Sequence, residues 1–545
     1  MLEKLLTYFF NGMKRLFGSI FDRLSFLQAA EVTVISFVIM SFVGAGILYY
    51  TEQDRMVTAK VPVLNVVTIN PSPSEDINLS NKAHEETHTF TKDVTYKGET
   101  FIDSLFTAVS ALCVTGLIST DFSKFTWQGQ FVTLILIQMG GLGILLFTSI
   151  FAIAIVQGLS ESRSFRSILS GVLDTSSKSV IRLLRHVAIY TVLFEGLGTI
   201  IMGTHLQFSD PSIIGGLNPW WWAVFHSVSA FNNAGFGLLN NNLVNFVTDP
   251  VINLTIATLI ILGGLGYPVL IAMHARLGKF FFGFINKVGR SLDDDVKEVV
   301  ASSIQTKIAI SGTIIFLALG TALPLILDWN NPTLANYSVF QKIMIAFFQS
   351  TSTRTAGFNT IDIGALATGT TVLFMMLMFI GANPAGTAGG IKIPTVAVLY
   401  GYVKDWFMAP GQAVVLSGQK ISKFAVSHAI RLTFSSVLFL MVVTMLIVIA
   451  ENKYLGTPDP TINLHKIIFE IISAFGTVGM SMGFAGGVTS LSAILTSFSK
   501  TMIIIVMLFG RLGALTILAA LPWKRRYSEH PLSEDFPGAQ KIQIG

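Results

Sequence analysis

Eight long apolar runs divide the chain, near residues 32–50, 131–157, 187–205, 251–273, 308–327, 366–399, 428–450 and 494–521. Each is long enough to cross about 30 Å of hydrocarbon as a helix of roughly 20 residues. A shorter segment lies within each successive pair of runs: Asp103–Ala111, Trp220–Ala230, Phe340–Ser352 and His465–Ala474. These are too short to span, and each ends where the pattern turns to small and polar residues, so they predict half-crossing helices followed by loops. The loops share one register. A hydroxyl residue (Ser110, Ser229, Thr351, Ser473) precedes Ala or Ser, and six positions after the hydroxyl stands a glycine followed by an apolar residue. The glycines are Gly116, Gly235, Gly357 and Gly479, spaced by 119, 122 and 122 residues, and each has a phenylalanine ten positions earlier, at 106, 225, 347 and 469. One module of span, half-helix, loop and span is therefore read as copied four times. The expected fold is an all-α membrane protein of four membrane–pore-loop–membrane repeats in a pseudo-fourfold arrangement, with eight transmembrane spans.

Composition agrees. Hydrophobic residues make up 52% of the 545 positions and charged residues 12%, with mean hydropathy +0.65, beyond what a soluble surface tolerates. The first run begins only at Val32, is too long for a secretory leader and lacks a small-residue cleavage site, so it is expected to remain in the mature chain. Basic residues fall on alternating sides: Arg163, Arg166, Lys178, Arg182 and Arg185 in 158–185, six Lys/Arg in 274–307, and Lys524, Arg525 and Arg526 in the tail, whereas 206–250 has none. Cytoplasmic loops attract such charge, which places the four glycine loops outside and both termini in the cytoplasm of a multi-pass protein of the cell membrane. The expected organisation is a cytoplasmic amphipathic segment 1–30; repeats at 31–157, 186–273, 307–399 and 428–521; and a cytoplasmic tail 522–545. Residues 51–100 form a polar outside insertion in the first repeat and are read as a loop. The net charge of +5 follows from the cytoplasmic flanks, and no basic, aromatic-interleaved surface points to nucleic acid. The single cysteine, Cys113, rules out an intrachain disulfide.

A half-crossing helix aims its carbonyl end into the membrane, where the negative end of the dipole favours a cation. The loop after it carries exposed carbonyls that lipid would not tolerate, so it must line a water-filled path. Glycine reaches φ > 0 without strain and lets successive carbonyls face one axis, replacing the hydration shell of a monovalent ion. No loop has Asp or Glu within three residues of its glycine, so a carboxylate ring suited to divalents is not read here. Glycines that merely let helices approach are the competing explanation, but four copies in matched register weigh against it.

Val114-Thr115-Gly116 is similar to the core of potassium-channel filters. With Thr353-Arg354-Thr355-Ala356-Gly357-Phe358-Asn359, Ala388-Gly389-Gly390-Ile391-Lys392 and Gly510-Arg511-Leu512-Gly513, the chain over roughly 100–521 resembles the Trk/Ktr/HKT superfamily of potassium-translocating subunits, closer to the Ktr type. The resemblance implies a potassium site made by backbone carbonyls of Val114, Thr115, Gly116, Asn233, Ala234, Gly235, Thr355, Ala356, Gly357, Thr477, Val478 and Gly479. It also implies a gate at Gly381, Gly386, Gly389, Gly390 and Arg511, a membrane homodimer, and a cytoplasmic ring of nucleotide-binding subunits. Potassium is the expected cargo, with sodium as a second ion, and no cofactor or enzymatic activity is expected of the chain. A sodium-coupled or sodium-permeable symporter of the same superfamily is the alternative. Symporters usually carry inverted repeats, whereas these copies run in one direction.

Four glycines and Pro384 between 381 and 390 interrupt the longest apolar run, so no continuous helix is expected there. A phosphate-binding loop is rejected because Gly-Lys-Ser/Thr is missing. Arg511 lies within an apolar span, where a charge costs at least about 2.5–3.5 kcal/mol. It is read as a barrier to cations below the filter, the alternatives being snorkelling or a pair with Glu195 or Glu470. Arg354 is expected to turn behind its loop and bind carbonyls or an acid; Asn232 and Asn233 are read as braces of loop two. His84-Glu85-Glu86-Thr87-His88 matches a zinc-protease pattern, but it sits in a polar stretch without an apolar helical face or third ligand and is set aside.

Overall fold

A computed structural model describes residues 29–52, 56–63, 90–97, 100–158, 177–277, 304–384, 386–408, 414–452, 462–483 and 490–513. Residues 1–28, the zinc-protease-like string 84–88, most of the basic segments and the tail lie outside the described residues. The long helices are α1 (Ala29–Glu52), α3 (Trp127–Gly158), α4 (Ser177–Gln207), α8 (Ile304–Leu327) and α12 (Lys423–Ala450). Among the described residues four helices, in α1, α4, α8 and α12, are long and apolar enough to cross a membrane. Only 17% of the α8 window is buried. From Ile314 onward its large exposed side chains are apolar (Ile314, Ile315, Leu319, Leu323, Ile326, Leu327), as a lipid-facing surface requires. The run at 251–273 is a bent pair, α6 (Pro250–Leu265) and α7 (Tyr267–Leu277), turning by 104° at Gly266. The run at 366–399 breaks between α10 (Thr368–Phe379) and α11 (Ile393–Met408), where the glycine and proline content forbids helix. The last described helix is α14 (Ser497–Leu512).

The four short segments are helical: α2 (Phe101–Leu112), α5 (Pro219–Phe231), α9 (Val339–Ser352) and α13 (Leu464–Gly476). Each starts at a side-chain cap. Thr100, Asn218 and Asn463 accept from backbone amides, and Ser338 with Gln341 forms a reciprocal capping box. Phe106, Phe225 and Phe469 are fully buried behind these helices; in the third it is Phe348 that is fully buried, with Phe347 only partly so.

These helices pack in cyclic order. Within a repeat the first long helix lies on the half-helix (α1 on α2, α4 on α5, α8 on α9, α12 on α13), and each second helix reaches the next half-helix: α3 to α5, α6 to α9, α10 to α13 and α14 back to α2. At the end of each repeat where its first helix finishes and its second begins, a polar clamp joins the two helices. Glu52, at the end of α1, accepts from the Thr126 amide and hydroxyl at 3.1 and 2.6 Å. Glu451, just after α12, accepts from the Thr496 amide (3.0 Å) and hydroxyl (2.7 Å) and from the Ser499 hydroxyl (2.6 Å). Asp328, just after α8, accepts from the Ala367 amide (2.8 Å) and the Thr370 hydroxyl. In the second repeat the carboxylate is on the other side: Asp249 caps α6, and its second oxygen meets His205 Nε2 at 2.7 Å. Each carboxylate meets the amide end of a helix, where the dipole favours it.

The polar insertion departs from the expected loop. Met56–Val63 (β1) and Phe90–Lys97 (β2) pair antiparallel, Met56 opposite Lys97 through to Val63 opposite Phe90. The reason is local: both segments are rich in Val and Thr, which favour a pleated strand over a loop. A smaller pair, β3 (Val415–Leu416) with β4 (Gln419–Lys420), joins α11 to α12.

Candidate functional site

The four glycine loops converge, and the order of approach is cyclic. Each glycine faces the carbonyl of the residue preceding the next glycine. A Cβ added at Gly116 would lie 2.4 Å from the Ala234 oxygen, at Gly235 2.4 Å from Ala356, at Gly357 2.1 Å from Val478, and at Gly479 2.0 Å from Thr115, which closes the ring. All four glycines have left-handed φ, between 69° and 91°. The residue two before each glycine does too: Val114 at 49°, Asn233 at 59°, Thr355 at 76° and Thr477 at 49°. Three of these are β-branched, for which positive φ is strained and persists only where surroundings impose it. Alternating handedness along such a loop turns successive carbonyls to one side, as a dehydrated monovalent cation needs.

The residue at the repeated hydroxyl position ties three of the loops through its backbone carbonyl, while its side chain is used unevenly: Ser110 Oγ accepts from the Gly116 amide, Ser229 Oγ donates to Phe236 O, and Ser473 Oγ has no partner. The amides of Thr115, Ala234 and Val478 donate to the carbonyls of Ser110, Ser229 and Ser473 at 2.7, 2.7 and 2.8 Å. In loop three the tie shifts by one residue: Ala356 and Gly357 donate to the Ser352 carbonyl, whose hydroxyl donates to Phe358 O. Side chains also tie loop to loop, with Asn233 bonded to the Thr355 hydroxyl at 3.2 Å and the Ile118 amide donating to Ser490 Oγ at 3.0 Å. All twelve residues named from the sequence as carbonyl donors are brought together in these four loops, and the eight non-glycine members are fully buried. A cavity of about 870 Å³ opens on the glycine side; all four glycines line it, with Asn240, Asn241, Asn242, Asp362, His465 and Lys466 around its walls.

Three of the second helices press on the half-helix ends through glycine. Added Cβ atoms at Gly140, Gly263 and Gly510 would lie 2.0, 1.9 and 1.9 Å from the carbonyls of Leu112, Phe231 and Phe475. In the third repeat the approach is different, with Gly476 against Met378 O.

The segment from 380 to 392 is non-helical and sits against these same glycines; Ala385 lies outside the described residues. Asn383 and Thr387 donate their amides to Gly264 O and Gly263 O at 3.1 and 3.3 Å, and the Gly390 amide donates to Gly510 O at 3.3 Å. Gly389 abuts loop four, where an added Cβ would lie 2.3 Å from Thr477 Oγ1. Lys392 Nζ turns back to the Ala388 and Gly389 carbonyls. Of the four glycines named as a gate, Gly386 and Gly389 face α6 and loop four, whereas Gly381 and Gly390 face each other's strand of the loop.

Arg511, 4% exposed on α14, joins this loop to the first repeat: its guanidinium donates to Thr387 O and to Gly140 O. It neither snorkels nor pairs with the acids weighed for it. Glu195 accepts from Asn232 and Gln138, and Glu470 accepts from Ser481 and Ser492. Arg354 turns away from the ring and donates to Thr313 O at 3.1 Å, its guanidinium 5.8 Å from the Phe316 ring centroid. Asn232 braces the end of α5, donating to Gln138, Glu195 and the Val228 carbonyl. Sequence reasoning missed the roles of Asn383, Thr387, Lys392 and Glu470; three of these lie within or beside the glycine-rich interruption, which was the available signal. Among the described residues no cluster of three His, Cys, Asp or Glu could hold a metal.

Four short helices whose glycine loops meet in cyclic order, packed among helices long and apolar enough to cross a membrane, define a membrane protein. The chain belongs to the TrkH family, described as cation transport proteins, whose sequence model matches residues 26–523. It is 33% identical over 430 residues to Ktr system potassium uptake protein B of Bacillus subtilis, covering 78% of this chain and 86% of that one. It is 32% identical over 437 residues to the potassium/sodium uptake protein NtpJ of Enterococcus hirae, covering 79% and 87%. Its fold is similar to the crystal structure of the potassium transporter TrkH from Vibrio parahaemolyticus, with TM-score 0.55, 18% identity and 78% of each chain covered.

Proposed function

We propose that this chain is the potassium-translocating subunit of an uptake system, an eight-span, pseudo-fourfold protein of the cell membrane with both termini cytoplasmic. Conduction is channel-like, through a filter of backbone carbonyls at residues 114–116, 233–235, 355–357 and 477–479, and the loop 381–390 with Arg511 is its gate. The observation that carries this reading is the cyclic approach of the four glycines, each to the carbonyl before the next. Such a ring offers a bare monovalent cation oxygen ligands and no fixed charge, which fits potassium better than a divalent ion. The membrane potential supplies roughly 2.3 kcal/mol per 100 mV for a monovalent cation, about fifty-fold accumulation, so uptake needs no nucleotide hydrolysis by this chain.

Relatives named as one protein of a Ktr system fit a membrane subunit with partners. The expected partners are a second copy of the chain and a cytoplasmic nucleotide-binding ring docked on the basic loops. The potassium/sodium naming of the Enterococcus hirae relative favours one second reading, a sodium-permeable or sodium-coupled version of the same path. Rubidium uptake by potassium-transport-deficient cells expressing the chain, with and without sodium, tests both. Saturable uptake in the absence of sodium supports the first reading; an absolute sodium requirement selects the second; no uptake in either condition refutes both.

A further inference from the structure

Glu470 stands on α13 nine residues before Gly479, behind the fourth loop and 1% exposed. Both carboxylate oxygens are used. Oε2 accepts from the Ser481 hydroxyl at 2.6 Å, and Oε1 accepts from the Ser492 amide and hydroxyl at 3.0 and 2.6 Å. Ser481 Oγ in turn accepts from the amides of Gly483 and Leu491 at 3.1 and 3.0 Å. The carboxylate thus links the half-helix to the chain two residues past the glycine and to the segment that returns toward α14. No Lys or Arg pairs with it among the described residues. A buried carboxylate is costly unless every lone pair is used, and hydrogen bonds to a charged oxygen are shorter and stronger than neutral ones, so this contact holds geometry more firmly than the backbone ties common to the four loops.

The matching positions in the other loops carry no carboxylate, and the side-chain ties nearby are between neutral groups: Gln349 Nε2 donates to Thr360 Oγ1 at 3.1 Å in loop three, and Ser229 Oγ donates to Phe236 O at 2.9 Å in loop two. Nine residues before the glycine stand Thr107, His226 and Phe348; two residues after it stand Ile118, Gly237 and Asn359. The Thr107 hydroxyl has no partner. His226 is fully buried, its Nδ1 at 2.8 Å from Trp222 O, with Nε2 partnerless and only 3.4 Å from where a Cβ at Gly237 would be. The same approach of half-helix to post-glycine residue therefore exists in loop two without a side chain to complete it.

We infer that Glu470 is a positioning residue for ion selection: it pins the carbonyls of Val478 and Gly479 from behind, through Ser481 and Ser492, and makes loop four the quarter of the ring braced by a buried carboxylate, where the other quarters are held by backbone ties and by bonds between neutral groups. This rests on the reading of the glycine ring as the selective element.

The test is the sodium-to-potassium permeability ratio of the full chain from reversal potentials, which does not depend on how much protein is present. Glu470→Ala is expected to raise that ratio by a factor of about 3 to 10, the loss of one or two hydrogen bonds to a charged group expressed as ion discrimination. Glu470→Gln keeps an acceptor for Ser492 but sets an N–H against Ser481 Oγ, whose lone pairs already accept from the Gly483 and Leu491 amides, so it returns only part of the selectivity. Ser492→Ala shifts the ratio in the same direction by less, and it carries the test if Glu470→Ala does not fold. Gly479→Ser is measured beside them. An unchanged ratio in folded Glu470→Ala, or in Ser492→Ala where the former is not recovered, overturns the inference while Gly479→Ser still alters selectivity. If Gly479→Ser is also unchanged, the glycine ring is not the selective element and both readings fall.

Discussion

Replacing Gly116 by serine tests the ring where the geometry is most explicit. The new Cβ would lie 2.4 Å from the Ala234 oxygen, and real Cβ atoms essentially never approach other heavy atoms closer than 3.0 Å, so that carbonyl must withdraw by about 0.6 Å. The backbone at 116 has φ +91°, unfavourable for any side chain, which adds about 1–3 kcal/mol of strain. A carbonyl displaced by 0.6 Å has moved farther than the difference in radius between sodium and potassium ions, so the cage no longer fits potassium alone. If about 1.4 kcal/mol of the strain appears as lost preference for potassium, the permeability ratio changes about tenfold. The assay is the reversal potential with potassium on one side and sodium on the other, with folding checked by gel filtration in detergent. Gly235→Ser, Gly357→Ser and Gly479→Ser should act in the same direction, the last most strongly because its contact is the closest at 2.0 Å. Unchanged ratios in all four folded variants would refute the reasoning.

Arg511→Ala should raise flux without altering ion preference, because it removes both a fixed charge and the bonds holding Thr387 O and Gly140 O. For an ion passing within about 10 Å at an effective dielectric of 20 the charge contributes about 1.7 kcal/mol, or more than tenfold in rate, read as maximal uptake per folded protein; unchanged or lower uptake leaves Arg511 as a structural tie. Glu451→Ala strands the Thr496 and Ser499 donors and should lower stability in detergent by about 2 kcal/mol, seen in the melting temperature, while the permeability ratio stays at the wild-type value. A zinc chelator should leave transport unchanged, since the proposed function assigns no metal to the His84–His88 string; chelator-sensitive uptake would bring it back.

The parts of this fold legible in the sequence are those written in local chemistry. The loops were found because each needs glycine at a left-handed position and repeats a hydroxyl residue six places earlier, and the half-helices because their apolar runs are too short to span. Pro384 and the four glycines likewise announce the break between α10 and α11. Partners that are backbone carbonyls leave no residue type to read: Arg511 bonds to Thr387 O and Gly140 O, whereas the sequence offered only acids. These carboxylate clamps join residues 74, 42 and 45 positions apart, a separation at which an acid and a threonine carry no visible pairing. Positive φ at Val114, Thr355 and Thr477 runs against β-branched preference, so only the assembled ring accounts for it. The β1–β2 hairpin was hidden by the polar composition around it, although its Val and Thr content was a local sign.

The most direct test of the carbonyl ring is anomalous scattering from crystals of the chain grown in rubidium, a heavier stand-in for potassium. The account predicts rubidium peaks on the axis enclosed by Gly116, Gly235, Gly357 and Gly479, weakened when sodium replaces rubidium and displaced in Gly116→Ser. Rubidium bound elsewhere, with no density on that axis at saturating concentration, would contradict it.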